Sequence, residues 1–447
     1  MINPYLQYMY SYPHKTAYRS LPSLPLEDYF TSLSGPGHGL YLHIPFCQTK
    51  CGYCNLFSVT GQGVGEMDAY LSAVERQTNQ YVSILPSSSY FSSLTIGGGT
   101  PLLLTARQLD KVFYRLCTMK PFSRIEEIVI ETAPNQTTKE KLHLLKQAGV
   151  TRVSMGIQSF FDNELAVLAR GHSAKKAREA LDLLMEEDFS CVNVDFIYGI
   201  PGQTEKSLLQ SLNEAISFGP DEIFLYPLYI KHGAGLEKKL CQELVLEPQK
   251  AYGQYKQASR RLKDAGFRQD SMRRFVRVKN RSQREFSDCG FGTSLALGCG
   301  GRSYLGKLHF CSPYAITQES GLALLREFEG EEDYTTVRHG ILLSDKEEKR
   351  RYLIRHLLIY PGLDEREYQR HFNSQVREDF PVLVDWLEKG YLCSGQYLSL
   401  SELGLGLSDY LGPQLISPEI CRRMEEWEED RACEQKDDSL SRLLKKL

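Results

Sequence analysis

A chain of 447 residues has room for one large domain and a smaller one beside it. With 42% apolar and 24% charged residues it is ordinary for a globular protein in water, and its net charge of −3 gives no reason to expect nucleic acid. It shows neither a run of about eighteen apolar residues nor a basic-then-apolar leader that would point to a membrane, and its twelve Cys then suit a reducing cytoplasm rather than disulfides.

Residues 1–35 carry no periodic pattern. Tyr10–Arg19 is aromatic and basic, and Pro22, Pro25, Gly35 and Pro36 break up the residues after it. This reads as an extended strap, lying along the surface or over the mouth of a site. From residue 39 a strand–helix alternation begins. Apolar, β-branched or aromatic runs stand at 39–46, 93–97, 127–132, 151–157, 191–198 and 222–230, with helical patterns at 66–83, 105–119, 137–148, 173–187 and 204–217. Gly149 and Gly219 fall where a helix ends in a left-handed residue. The alternation predicts an α/β fold, a parallel sheet with helices outside. Six units suit an open, partial (β/α)6 barrel over 36–235, and the alternation by itself also permits a doubly wound sheet.

An extension occupies 236–345. Its Lys256–Arg284 stretch sets eleven Lys or Arg against two Asp. Such a run is a solvated helix face, or else attracts a carboxylate-rich substrate or an acidic electron donor. Cys289–Tyr304 then places five Gly in sixteen residues, which lets a ligand or another backbone approach closely. In 346–447, Leu353, Leu357, Leu358 and Ile359 mark one apolar helix face, and Phe380, Leu383, Val384, Trp386 and Leu387 another. A strand at Tyr397–Leu400 and a helix at Glu402–Leu411 complete a mostly helical, winged-helix-like module. The module is not basic, so it reads as a lid or a partner surface rather than a DNA reader. The acidic stretch Glu425–Asp438 reads as a solvated helix.

The chemistry-bearing residues cluster after the first strand. Cys47, Cys51 and Cys54 have the spacing Cys-x3-Cys-x2-Cys. Three thiolates on one loop can hold three corners of a four-iron cluster, leaving one iron open. Zinc and a disulfide cluster are the alternatives, and zinc would want a second paired Cys or His group. Gly97–Pro101 follows the second strand and frees backbone for close contact. Glu131, Gln158 and Asp195 interrupt apolar runs at or near strand ends, where βα barrels gather their functional groups. A buried carboxylate needs a partner, which is either a ligand or an internal salt bridge with Arg152 or Arg170. Cys289, Cys299 and Cys311 are close enough in sequence to raise a second metal site, although ordinary buried Cys is the simpler reading.

Four ordered stretches, Tyr41–Cys47, Gly97–Pro101, Arg152–Phe160 and Asn193–Pro201, with Tyr53 before the third cluster Cys, resemble the radical S-adenosylmethionine (SAM) enzymes. Together they resemble the oxygen-independent coproporphyrinogen III oxidase (HemN-like) family and its heme-chaperone cousins, strongly over 36–230 and weakly over 340–415. The resemblance implies a [4Fe-4S] cluster on Cys47, Cys51 and Cys54. It implies SAM contacts from Gly98, Gly99, Thr100, Glu131, Gln158 and Asp195, with Arg170 on the SAM carboxylate. Tyr41 and Tyr53 would flank the cofactor, and Tyr229 would give adenine a backbone contact. It further implies a low-potential donor such as flavodoxin or ferredoxin, and oxidoreductase chemistry on a tetrapyrrole-type substrate. A methyltransferase using two SAM molecules and a non-catalytic heme carrier are the alternatives. Two departures stand out. Leu56 occupies the position where the oxidases carry another Cys, and Phe286–Gly292 lacks the His-Asn and Trp signature of the chaperones.

Overall fold

The computed structural model describes residues 2–9, 11–230, 247–278 and 292–430. Tyr10, residues 279–284 of the basic run, Cys289 to Phe291 and residues 431–438 of the acidic stretch lie outside the described residues. So do the chaperone-signature positions Phe286 to Phe291. Among the described residues, no helix is long and apolar enough to cross a membrane.

Among the described residues, one sheet of thirteen strands organises the molecule. In chain order these are β1 (Arg19–Pro25), β2 (His38–Ile44), β3 (Phe91–Gly98), β4 (Glu127–Thr132), β5 (Arg152–Gln158), β6 (Cys191–Tyr198) and β7 (Glu222–Pro227), then β8 (Phe267–Gln269), β9 (Arg274–Arg277), β10 (Ser294–Leu297), β11 (Ser303–Leu305), β12 (Leu308–Phe310) and β13 (Thr336–Leu342). Strands β2 to β7 pair in parallel and in sequence order, so the six expected units form an open barrel and not a doubly wound sheet. Antiparallel β9 and β8 extend one edge. On the other, β10 runs parallel to β2 and leads into the antiparallel run β11, β12, β13 and β1.

Helices α1 (Val64–Ile84), α2 (Ala106–Thr118), α3 (Lys139–Gln147), α4 (Asp162–Val167), α5 (Ala174–Glu186) and α6 (Glu205–Phe218) fill the crossovers. Their starts are written in sequence. Thr105 and Gln108 form a reciprocal capping box at α2, and Thr204 caps α6 through the Ser207 amide. Gly219 ends α6 at φ 84°, a left-handed position that suits glycine. The outer face of the sheet, with Ile96, Ile130, Val153, Val194 and Ile223, packs against Leu109, Leu142, Leu181 and Leu212 of the helices. Side chains alternate faces along a strand. Burying those residues therefore turns Tyr41, His43, Glu131, Ser154, Asn193 and Asp195 to the inside.

Three expectations change. The strap is not merely extended: β1 joins the main sheet beside β13, with a register shift between Ser20 and Leu24. Its Tyr12, Ala17 and Tyr18 belong to the second hydrophobic core, together with Leu353, Leu357, Leu383 and Trp386. The single strand at 397–400 is one arm of a hairpin, Leu392–Ser394 with Leu398–Leu400, and the helix after it breaks at Leu407. Val384, placed on an apolar face, is 45% exposed.

The basic run is the largest correction. Arg273 and Arg274 are buried, not solvated. Arg273 pairs with Asp409, and Arg274 pairs with Glu222 and, at 3.0 Å, with Asp270. Glu222 also takes Arg152 at 2.5 Å. Buried ions are tolerated only when each finds its opposite, so these arginines anchor the β7–β9 edge instead of facing a partner. Replacing Glu222 with Ala leaves Arg152 and Arg274 without that anion and is expected to cost about 3–5 kcal/mol of unfolding free energy. Urea denaturation checks this, and a loss below about 1 kcal/mol would show that the network is not fully desolvated.

Candidate active site

The cysteine loop leaves the barrel after β2. Phe46–Cys47 and Val59–Thr60 pair in parallel at its base. His43 holds the return limb through Nε2 and the Phe57 carbonyl at 2.9 Å, so the ring donates there and its Nδ1 faces the Tyr41 hydroxyl at 3.2 Å. Burial lowers His43 to about 4, which keeps the ring neutral. Lys50 Nζ donates to the Ile316 carbonyl at 2.5 Å, Tyr314 donates to the Asn55 carbonyl at 2.9 Å, and the Gly52 amide donates to the Leu168 carbonyl at 3.0 Å. A loop tied at so many points holds its thiols in place before any ligand arrives.

All three thiols open onto one cavity of about 230 Å³. Thr100 Oγ1 lies 3.8 Å from Cys47 Sγ, and Arg170 Nη1 lies 3.1 Å from Cys51 Sγ. Burial pushes Cys47 up to about 11 and also raises Cys54, so proton loss from these thiols would be driven by metal. Among the described residues, no three His, Cys, Asp or Glu side chains converge on a point that a single ion would occupy. The three thiols on one loop suit a cube, whose thiolates each hold a separate iron.

Opposite the thiols, glycine is required by space. A Cβ on Gly99 would stand 2.6 Å from the Phe46 carbonyl oxygen and 3.0 Å from Cys47 Sγ, and one on Gly97 would stand 2.9 Å from the Glu131 carboxyl group. Gly98 has φ 117°, and its amide donates to Glu131 Oε2 at 3.1 Å. Asp195 accepts from Asn193 Nδ2 at 2.8 Å. Among the described residues, neither carboxyl group makes an ion pair: Arg152 pairs with Glu222 and Arg170 donates to the Gly156 carbonyl at 2.5 Å, so the internal salt bridge weighed from sequence is not seen among them. Burial raises Glu131 to about 7 and Asp195 to about 6.

Gln158 stands at a register shift between β5 and β6 with φ 73°, a conformation costing a non-glycine residue on the order of 1 kcal/mol. Its Oε1, Arg170 Nε and Asn193 Oδ1 are buried without a hydrogen-bond partner. Gln158 and Arg170 line the cavity, and buried polar atoms left unsatisfied there mark a place prepared for a polar ligand. Buried Glu164 braces the turn after β5, accepting from Ser159 Oγ at 2.6 Å, Ser207 Oγ at 2.5 Å and Gln203 Nε2 at 3.0 Å.

Cys47, Cys51, Cys54, Tyr53, Gly98, Gly99, Thr100, Glu131, Gln158, Arg170 and Asp195 all line the cavity. Two expected residues do not. Tyr41 stands one layer deeper, beside His43. Tyr229 lies past β7, which ends at Pro227 and not at 230, and its hydroxyl is taken by Asp409 Oδ2 at 2.6 Å. Sequence reasoning missed Gln48, Asn135, Gln136, Ser154 and His172 in the lining. Only Ser154 carried a signal, since it shares an inner strand face with Glu131. Cys299 and Cys311 are buried, and Cys299 Sγ lies 3.5 Å from Ser312 Oγ, so two of the three thiols considered for a second metal have a packing explanation.

Comparison with known proteins fits this geometry. The family model for the radical SAM superfamily matches residues 41–215. The heme chaperone HemW of Mycobacterium tuberculosis (strain H37Rv) is 30% identical over 278 residues, covering 61% of this chain and 71% of the relative. HemW of Bacillus subtilis is 26% identical over 358 residues, covering 79% and 92%. The solved structure of coproporphyrinogen III oxidase (HemN) from Escherichia coli, described as a radical SAM enzyme, superposes with a TM-score of 0.76 at 21% identity, covering 93% of this chain and 96% of that one.

The raised carboxyl groups carry a stability consequence. An acid whose folded value lies above its unfolded one favours the fold while protonated, and that contribution is lost as pH rises through the folded value. Glu131→Gln is therefore expected to stabilise the ligand-free protein by roughly 3 kcal/mol above pH about 7, with the gain vanishing below pH about 4. Thermal unfolding at several pH values checks this, and a gain independent of pH would exclude Glu131 as its source.

Proposed function

The chain belongs to the HemN-like family of the radical SAM superfamily, and from that membership we propose that it is a radical enzyme acting on a tetrapyrrole-type substrate. A [4Fe-4S] cluster with bound SAM supplies, on one-electron reduction, methionine and a 5′-deoxyadenosyl radical able to take a hydrogen atom from carbon. The observation that carries this reading is the convergence of three thiols, a spare guanidinium edge and two unpaired carboxyl groups on one cavity.

Cys47, Cys51 and Cys54 would hold the cluster. Arg170 suits the SAM carboxylate, because it lines the cavity and its Nε has no hydrogen-bond partner. Glu131 and Asp195 suit the cationic and hydroxyl groups of the same ligand. Gly98 and Gly99 offer backbone with no Cβ in the way, and Thr100 and Gln158 supply further polar contacts. Leu168, Ile197, Ile200 and Leu228, with Tyr53, close an apolar side that keeps water from a reactive carbon.

The other wall of the barrel differs in sign. By register, Tyr304 and His309 share the inner face with Ser294 of β10. The guanidinium groups of Arg351 and Arg302 stand 5.0 and 5.9 Å from the Tyr304 ring centre. Tyr304 and His309 are buried and lie outside the cavity lining, so the tetrapyrrole-type substrate rests on family membership. Oxidative chemistry on such a substrate is the first reading. The names of the HemW relatives support a second, in which the protein carries heme. A thiolate-held cluster belongs in a reducing compartment, so the cytoplasm and a flavodoxin- or ferredoxin-type donor form part of the proposal.

Two measurements test it. Replacing any one of Cys47, Cys51 or Cys54 with Ala is expected to abolish the visible absorbance of the reconstituted cluster, and Asp195→Ala to weaken SAM binding by about 1–3 kcal/mol with iron content intact. Unchanged affinity by calorimetry would make Asp195 structural. In the second, cluster-loaded protein with dithionite and SAM is assayed for 5′-deoxyadenosine with and without coproporphyrinogen III. Stimulation by the porphyrinogen supports the first reading, and tight heme retention with no deoxyadenosine favours the carrier.

A further inference from the structure

Strand β5 carries one residue too many where it meets β6. Gly156 pairs with Asp195 and Gln158 with Phe196, so Ile157 has no counterpart. Such a bulge re-aims a side chain beside a site and disturbs the local ladder. Phe196, like Val194, faces the helices, yet Gln158 opposite it lines the cavity. The bulge and the φ of 73° at Gln158 bring its amide to the ligand side. A Cβ on Gly156 would stand 2.8 Å from Gln158 Nε2, so the amide lies back over that glycine. Buried carbonyls at such a place need donors, and two side chains supply them. The Gly156 carbonyl accepts from Arg170 Nη2 at 2.5 Å, and the Ile157 carbonyl accepts from His172 Nε2 at 3.2 Å.

Both donors come from one turn. After α4 the chain passes through Ala169 at φ 53° and then through Arg170, Gly171 and His172. The same turn meets the cysteine loop. The Leu168 carbonyl accepts the Gly52 amide, Arg170 Nη1 lies 3.1 Å from Cys51 Sγ, and a Cβ on Gly171 would stand 2.8 Å from Thr49 Oγ1. From the segment after β4, Asn135 Nδ2 donates to the Gly171 carbonyl at 2.7 Å. A turn held from three sides is a firm base from which His172 can grip the bulge.

We propose that His172 is a positioning residue for SAM: by holding the Ile157 carbonyl it keeps the β5 bulge formed and the Gln158 amide aimed into the cavity. This rests on the reading of the cavity as a SAM site. Gln158 Oε1, buried without a partner, is the atom so presented. A carbonyl only accepts, so the imidazole carries its proton on Nε2. Burial, then the neighbouring Arg170 guanidinium, lower His172 to about 4. The ring therefore donates while neutral and sets no second positive charge beside Arg170. Gln also offers a neutral N–H on a side chain of similar reach, whereas Leu fills the space with no donor.

The test is calorimetry of SAM binding to the full-length, cluster-loaded protein and its variants, with iron content and thermal unfolding measured on the same preparations. His172→Leu is expected to weaken SAM binding roughly tenfold, the worth of one hydrogen bond, and His172→Gln to bind within about threefold of the unaltered protein. Gln158→Ala supplies the readout that a merely structural histidine would not move. In that background the bulge has no amide left to aim, so His172→Leu is expected to weaken binding by less than about threefold further, whereas losses at independent sites multiply. His172→Asn, polar but too short to reach the carbonyl, replaces His172→Leu if the apolar variant loads less iron, and carries the same expectation. SAM bound as tightly by His172→Leu as by the unaltered protein, no recovery in His172→Gln, or a loss that persists in full beside Gln158→Ala overturns the positioning role and leaves the SAM site standing. Absence of SAM binding to the unaltered protein overturns that reading and the role with it.

Discussion

Glu131 and Asp195, two carboxyl groups without a cation beside them, govern the layout of this barrel. Holding them inside is unfavourable, as burial raises both to about 7 and about 6. The arginines within reach are withheld. Arg152 is committed to Glu222, and Arg170 to Cys51 and the Gly156 carbonyl. A strained Gln158 and an Arg170 whose Nε has no partner line the same space. Local structure of this kind persists only when the surrounding packing over-determines it, and here the outer face of the sheet and the helices on it do so. The fold sets stability against a site kept ready for a cationic, polar ligand.

Much of this was legible in sequence because the relevant signals are local. Apolar, β-branched or aromatic runs mark the six parallel strands to within a few residues, and Glu131 and Asp195 stand out as polar residues at or near strand ends. Gly219 marks the end of α6. The three thiols, the glycines and the carboxyl groups of the site were all visible as residue types at strand ends. What sequence could not show was pairing over long distance. Arg273 and Arg274 looked like part of a solvated basic face, yet each finds its anion on another element, Asp409 lying 136 positions away. The β1–β13 pairing joins segments with no shared pattern, and the prolines of the strap argued against a strand. Tyr229, expected to end the sixth strand, lies past β7, and Asp409 takes its hydroxyl.

Asp409 also explains how the chain ends meet. Its backbone carbonyl accepts the amides of Leu6 and Gln7, and its carboxylate receives Arg273 and Tyr229. One buried residue of the C-terminal segment thereby fastens the N-terminal segment, the chain after β7 and the start of β9.

The most direct measurement is calorimetry of SAM binding to the cluster-loaded protein near pH 6, repeated in buffers of different ionisation enthalpy. Glu131 and Asp195 are partly protonated at that pH and must ionise to hold a cationic ligand, so binding is expected to release protons, less so as pH rises and not in the Glu131→Gln, Asp195→Asn double variant. A binding enthalpy identical in all buffers, with no proton release, would contradict the role given to the two carboxyl groups.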